Sequence, residues 1–346
     1  MKHLLDGLNR VAVGVVFLLA ALVVTPAASQ DLNADLARLE ADAAERGAIL
    51  GNRAGQTVLF EFFDYNCPYC RASYGDLVHL VQDYPDLKVV LVEHPILSTA
   101  SREAARQALQ LTGSDYIAVH RALFTRSGRA TAARVLAEAE RLEIAISPVD
   151  EENPPQETLE ALANNAAIAR RLGFTGVPGF RINGVSVNGR DFTRIEKALC
   201  GYSGRGSCSS YRVLLADAQA ATAGGDRRGA QSLMARAVRD ARRVRRGEAL
   251  NSVCWQGALM DFARVVMPAC DAAVAAEAGN AGYRDSRGLA RALTGNRRGA
   301  IADFEFYIAN AGQTRSAAAA ARTQAIALLR GAVPPSNAQL IELLGD

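Results

Sequence analysis

The run Phe60-Glu61-Phe62-Phe63-Asp64-Tyr65-Asn66-Cys67-Pro68-Tyr69-Cys70 constrains this chain more than any other. An apolar, strand-like segment ends in a C-x-x-C pair, and a helix is expected to start at the second residue of that pair. Cys67 then takes the N-cap position. Pro68 takes the first helical position, where a missing N–H costs nothing. The unpaired N–H groups and the dipole of a helix N-terminus favour a thiolate on Cys67. Cys70, one turn on, can close a disulfide or resolve a mixed one. The pattern points to thiol–disulfide exchange with Cys67 as an exposed nucleophile of low pKa and the cysteine pair as its own redox group, with no other cofactor.

The first residues read as a targeting segment. Lys2 and Arg10 give a basic start, Val11 to Val24 is apolar, and Ala27-Ala28-Ser29 suits cleavage before Gln30. The apolar core is shorter than the ~20 residues a membrane span needs. An uncleaved anchor is the alternative. Residues 1–29 are therefore expected to be a signal peptide and the mature chain to be periplasmic, where disulfides persist. Net charge is +3, with no basic stripe interleaved with aromatics, so no nucleic-acid partner is expected. Arg236, Arg239, Arg242, Arg243, Arg245 and Arg246 read as a solvated helix face, or as a docking surface for an acidic partner. Beyond Cys67 and Cys70 there are four cysteines in two close pairs. Structural disulfides Cys200–Cys208 and Cys254–Cys270 are the economical assignment, although spacing alone leaves connectivity open.

Leu32, Leu36, Leu39 and Ala43 recur at helical steps, predicting an amphipathic helix over Asp31 to Leu50 that packs on its own domain or pairs with a second chain. Strands are expected at Thr57 to Phe63 and Lys88 to Val92, on either side of a helix from Cys67 to about Gln82. A helical stretch follows from about Ser98 to Arg171. Asn183-Gly184 between Phe180-Arg181-Ile182 and Val185-Ser186-Val187 signals a hairpin, and a last helix spans Asp191 to Leu199.

This order, with Glu93-His94-Pro95-Ile96-Leu97 and Gly176-Val177-Pro178-Gly179, resembles DsbA-like thiol–disulfide oxidoreductases, which have a thioredoxin fold with a helical insertion. The resemblance implies a cis Pro178 beside the cysteine pair, leaving the Val177 backbone to pair with a bound client strand. An ordinary trans turn proline is the alternative. It also implies that Glu61 is a buried acid that exchanges a proton with Cys70; otherwise Glu61 is a strand-edge residue facing water. Pro68 and Tyr69 tune the nucleophile and border the client site. Members of the family often carry Pro-His there, and tyrosine supplies no cation, so a less oxidising couple is expected. His94 could join the thiolates on a metal, but nothing completes a tetrahedral site, and no metal is expected. The implied partners are exported proteins with cysteines and a membrane protein that resets the redox state.

From about Ser209 the composition shifts to Ala, Arg, Leu and Gly. The windows Ala249 to Gly282 and Tyr283 to Ser316 match in phase at 34 residues, and Gly225-Asp226-Arg227-Arg228-Gly229-Ala230 echoes Gly295-Asn296-Arg297-Arg298-Gly299-Ala300. That periodicity predicts tetratricopeptide-like helix–turn–helix repeats holding a protein partner, with a plain helical bundle as the alternative. A Cys254–Cys270 bridge would staple one hairpin. The expected organisation is a signal peptide over 1–29, an N-terminal helix over 30–55, and an α/β thioredoxin domain over 56–208 with its insertion at about 98–172. An all-α repeat domain over 209–346 completes it. The function implied is a disulfide donor; an isomerase or reductase, or a repeat-based scaffold or holdase, are the rivals.

Overall fold

The computed structural model describes residues 26–202, 210–310 and 316–345. The expected targeting segment therefore lies largely outside the described residues. The first helix, α1 (Pro26–Arg46), begins earlier than the predicted Asp31 and ends before the predicted Leu50. Gly47 stops it: the residue is left-handed, with φ +83°, and the Ala48 N–H reaches back to the Ala43 carbonyl at 2.8 Å. The released chain forms a short strand absent from the sequence reading, β1 (Ile49–Gly51). The apolar stripe of α1, Leu36, Leu39 and Ala43, is buried in its own domain.

Then come β2 (Thr57–Phe63), α2 (Pro68–Asp83) and β3 (Leu87–Glu93). Four helices form the insertion: α3 (Thr99–Ala108), α4 (Gly113–Thr125), α5 (Ala132–Arg141) and α6 (Gln156–Arg171). The hairpin strands β4 (Gly179–Ile182) and β5 (Val185–Asn188) precede α7 (Phe192–Tyr202). Asn183 and Gly184 both have positive φ, the geometry a two-residue hairpin turn requires. The five-stranded sheet has the order β1-β3-β2-β4-β5, with β2 and β3 parallel and the other pairings antiparallel. Central strand β2 is flanked on both edges, which is why Thr57–Phe63 reads as a nearly continuous apolar run. Its exception is Glu61, in register with Leu91 and Phe180.

The remaining described helices are α8 (Tyr211–Ala223), α9 (Arg227–Val244), α10 (Gly247–Leu259), α11 (Ala263–Ala276), α12 (Ala281–Leu293), α13 (Arg297–Asn310), α14 (Ser316–Arg330) and α15 (Asn337–Leu344). They enclose a second hydrophobic core, separate from the one around the sheet. The echo between Gly225–Ala230 and Gly295–Ala300 has a structural cause. Gly225 and Gly295 are left-handed, and the Asp226 and Asn296 side chains accept the N–H groups of Gly229 and Gly299 at 2.9 and 3.0 Å. A Cβ on Gly229 would lie 2.1 Å from Asp226 Oδ2. Asp261, with φ +61°, takes the left-handed place in the turn between α10 and α11.

Cys254 and Cys270 form a disulfide between α10 and α11. Cys200 is disulfide-bonded too, and its expected partner Cys208 lies outside the described residues. The arginine cluster is divided in its roles. Arg246 makes two hydrogen bonds to Asp83, of 2.9 and 2.5 Å, and Arg243 pairs with Asp240, while Arg239, Arg242 and Arg245 are exposed. Arg212 joins Asp76 at 2.7 Å and Glu196 at 2.8 Å. Since Asp76 and Asp83 both belong to α2, these pairs fasten the helical region to the back of that helix.

Buried charge also locks α12 to α13. Asp303, 1% exposed, accepts from Arg287 at 2.9 and 2.7 Å and from Arg291 at 2.8 Å. Asp303→Ala would remove the nearest carboxylate of both arginines and leave them Asp271 at 3.4 and 3.7 Å, so it is expected to destabilise the helical region by about 1.5–3 kcal/mol. The check is the urea midpoint for loss of helical circular dichroism; an unchanged midpoint would mean that the arginines find water instead.

Candidate active site

The loop between β2 and α2 is held by Asp64, a residue the sequence reading did not single out. Its buried carboxylate accepts the Asn66 N–H at 2.8 Å and the Leu97 N–H at 3.0 Å, and its carbonyl accepts the Cys67 N–H at 3.0 Å. The signal for it was available: an Asp just before a helix cap is typical of turns closed by its side chain on the N–H two residues further on. Cys67 is the N-cap of α2, in extended conformation, and its Sγ accepts the Cys70 N–H at 3.3 Å. Pro68 opens the helix. The Cys67 thiol donates to the Val177 carbonyl at 3.3 Å, and the Val177–Pro178 peptide is cis. The loop that leads into the hairpin and the helix start thus meet at one sulfur.

Cys67 is only 3% exposed, against the expectation of an exposed nucleophile. The N-cap geometry folds its side chain back over the first turn and beneath the Val177 carbonyl. The solvent-facing part of the motif is Pro68-Tyr69, with Tyr69 66% exposed. Cys70 is fully buried, and both cysteines are free thiols, so this is the dithiol form.

The two sulfurs are electrostatically unlike. The Cys67 pKa is lowered to about 6, first by a hydrogen bond with the Cys70 thiol and then by the N–H groups of Cys70 and Tyr69, against the opposing effects of burial and Asp64. Cys70 is driven far upward, by burial first and then by the proton it shares with Cys67. Glu61 is 1% exposed and lies in the interior rather than at a water-facing strand edge. Burial, and then the Cys67 charge, push it up to about 8. Its Oε1 is buried without a hydrogen-bond partner. Near neutral pH the site therefore holds one thiolate, one thiol and one carboxylic acid.

The two histidines near the site are neutral. His94 is buried, edge-on to Phe62, and its pKa is lowered by burial. His120 sits among Phe63, Tyr65, Tyr74, Tyr116 and Phe124; burial lowers it to about 3. Among the described residues no group of three or more His, Cys, Asp or Glu could hold a metal ion.

A thiolate capping a helix next to a thioredoxin sheet, with a buried partner thiol, defines a thioredoxin-like thiol–disulfide oxidoreductase. Residues 43–199 match the family described as thioredoxin. A thioredoxin-like oxidoreductase from Silicibacter pomeroyi is 33% identical over 48% of this chain and 95% of its own, with a TM-score of 0.41. A periplasmic thioredoxin-like protein from Salmonella enterica serovar Typhimurium is 25% identical over 49% and 95%, with a TM-score of 0.43. The thiol-disulfide exchange protein alpha-DsbA2 from Wolbachia pipientis is 22% identical over 50% and 96%, with a TM-score of 0.40. No curated protein matches significantly. Through residues 43–199 this chain belongs to the thioredoxin-like family.

Two measurements test the charge arrangement. Brief alkylation of the reduced protein at pH 7 is expected to label Cys67 and spare Cys70; equal labelling would contradict it. Between 4.5 and about 8 the folded protein keeps a proton on Glu61 that the unfolded chain releases, so stability falls as pH rises through that window. Glu61→Gln removes this slope. The reduced variant is expected to exceed the parent in stability by about a few kcal/mol at pH 8, narrowing toward pH 5, and denaturant midpoints across that range read the difference.

Proposed function

We propose that this protein is an exported disulfide donor for client proteins, working without any cofactor beyond its own cysteine pair. The observation that carries the direction is the depressed Cys67 pKa. A thiol with a pKa of about 6 is about nine-tenths thiolate at pH 7. A stabilised thiolate favours the reduced protein, and so makes its disulfide the more oxidising partner.

In the oxidised form a client thiolate attacks Cys67 Sγ. The Cys67–Cys70 bond breaks and a mixed disulfide forms. The electron pair leaves on Cys70, which is buried and cannot remain charged, and Glu61 in its acid form supplies the proton. A second client thiolate then attacks the client sulfur of the mixed disulfide. Cys67 departs as a thiolate, a good leaving group because its pKa is low. The client gains a disulfide and the protein is left as the dithiol. The backbone of Val177, beside cis Pro178, pairs with the client strand, and Pro68 and Tyr69 border it. A membrane partner reoxidises the pair.

Export is supported by the basic start and short apolar core of the first residues, and by the periplasmic description of the Salmonella relative. No helix among the described residues is long and apolar enough to cross a membrane. The helix pairs beginning at Tyr211, Gly247, Ala281 and Ser316, spaced 34 to 36 residues apart, support tetratricopeptide-like repeats that hold a protein partner. The burial of Leu36, Leu39 and Ala43 supports a donor over an isomerase paired through α1, because that stripe is already covered.

The test is equilibration of the full chain with glutathione, with Cys67→Ser as the blank. A potential of about −200 mV or higher is expected for a donor, and about −270 mV would make it a reductant or isomerase. Because Tyr69 contributes a backbone N–H and no cation, the value is expected to fall below that of strong Pro-His oxidases, near −120 mV.

A further inference from the structure

The residues on either side of the C-x-x-C pair are Asn66 and Arg71, and both reach the same segment of the helical insertion. Asn66 Nδ2 donates to the Ala130 carbonyl at 2.8 Å, and the Ala130 N–H donates to Asn66 Oδ1 at 2.8 Å. The same amide donates to Ser101 Oγ at 3.2 Å. Arg71 spends its guanidinium on carbonyls: Leu123 at 2.8 Å, Phe124 at 3.1 Å, Arg126 at 2.8 Å and Gly128 at 3.4 Å. These are the last turn of α4 and the loop beyond it, whose carbonyl groups have no helical partner of their own. Among the described residues no carboxylate pairs with Arg71, whose acceptors are all backbone carbonyls. It serves as a five-donor fork that closes the α4 C-terminus, a task a single ammonium cannot reproduce.

From these contacts we infer that Asn66 and Arg71 are positioning residues that clamp both flanks of the cysteine motif onto the 123–130 segment, so that the insertion sets the geometry of the Cys67 thiolate. The clamp acts as follows. The thiolate is held by N–H groups of Tyr69 and Cys70, in the first turn of α2, while Cys67 itself belongs to the loop before that turn. A hydrogen bond from N–H to sulfur weakens steeply as its geometry degrades. Asn66 fixes the loop side and Arg71 fixes the helix side, each against the same external segment. The sulfur and its donors are therefore held in register from outside the helix. The titratable groups facing Cys67 are Cys70 on α2, Asp64 in the preceding loop and Glu61 on β2; the Val177–Pro178 side brings none. Asn66 carries no charge, so any change in thiol acidity on its removal comes from position. The inference rests on Cys67 being the nucleophile, but not on the direction of electron flow or on any client.

The experiment is an ultraviolet thiolate titration of the full reduced protein, with melting temperature recorded in parallel, for Asn66→Ala, Arg71→Met, Arg71→Lys and the double variant Asn66→Ala/Arg71→Met. Each single variant is expected to raise the Cys67 midpoint by about half a pH unit or more. Arg71→Lys should behave like Arg71→Met, and the double variant should shift no further than the larger single one, because both residues act through one segment. Three results would overturn the proposal. Unchanged midpoints with lower melting temperatures would make the residues simple struts. A midpoint retained in Arg71→Lys but raised in Arg71→Met would make Arg71 a through-space charge. Additive shifts would make the two contacts independent. If the double variant does not fold, the Met and Lys comparison still decides the matter.

Discussion

A helix N-terminus capped by sulfur is the interaction on which the rest of this structure depends. An N-cap oxygen from Ser or Asp would satisfy the same N–H group with no chemical consequence. With Cys67 in that place, the cap is also the reacting atom. Its hydrogen bonds to the first turn stabilise the charged form, whereas Cys70, one turn deeper, is opposed in ionising by burial first, then by the proton it shares with Cys67 and by Glu61. The difference between the two sulfurs arises from one turn of helix placed across the boundary between a polar cap and an apolar core. Glu61 belongs to the same arrangement: it is a buried acid on the central strand, held protonated by burial first and then by the Cys67 charge.

Helix α2 is consequently held from several directions. Its first turn touches the cis-proline loop and the helical insertion, and its far end and flank carry Asp83 and Asp76, which Arg246 and Arg212 engage. His79 lies between these arginines, its pKa lowered first by burial and then by Arg246. These pairs are partly screened from water by the packing of the two regions, so they bring more geometric definition than exposed pairs do. The helical region is thus joined to the helix that carries the cysteines and, through Glu196 and Lys197, to α7.

Much of this was legible in the residues. Thr57–Phe63 carries its strand in a run that is apolar save for Thr57 and Glu61, and Cys67-Pro68 announces the helix start, because proline is tolerated at the first helical position and sulfur can cap. Asn183-Gly184 encodes its turn through two residues that accept positive φ. The Gly225 and Gly295 blocks repeat because the same left-handed turn and the same side-chain cap recur. Other features were not legible. Strand β1 has three residues and no alternation to detect; it exists because β3 offers an unpaired edge. The burial of Cys67 depends on Val177, 110 residues away. Asp64, Asn66 and Arg71 look like ordinary loop and surface residues until the insertion folds over them.

The buried acid and the buried thiol also explain why the site needs its surroundings to be rigid. Glu61 and Cys70 each sit where ionisation is opposed by burial; a charge on Glu61 also raises the Cys70 pKa, and a charge on Cys67 raises that of Glu61. Burial and charge therefore both oppose ionising the two together. The protonation of each thus depends on where it is held. Glu61 is fixed by its register between Leu91 and Phe180 in the sheet, and Cys70 by the first turn of α2. The sheet and the helix therefore each hold one of these two groups, and the loop that joins them, from Asp64 to Cys67, is the segment whose hydrogen bonds keep strand and helix aligned.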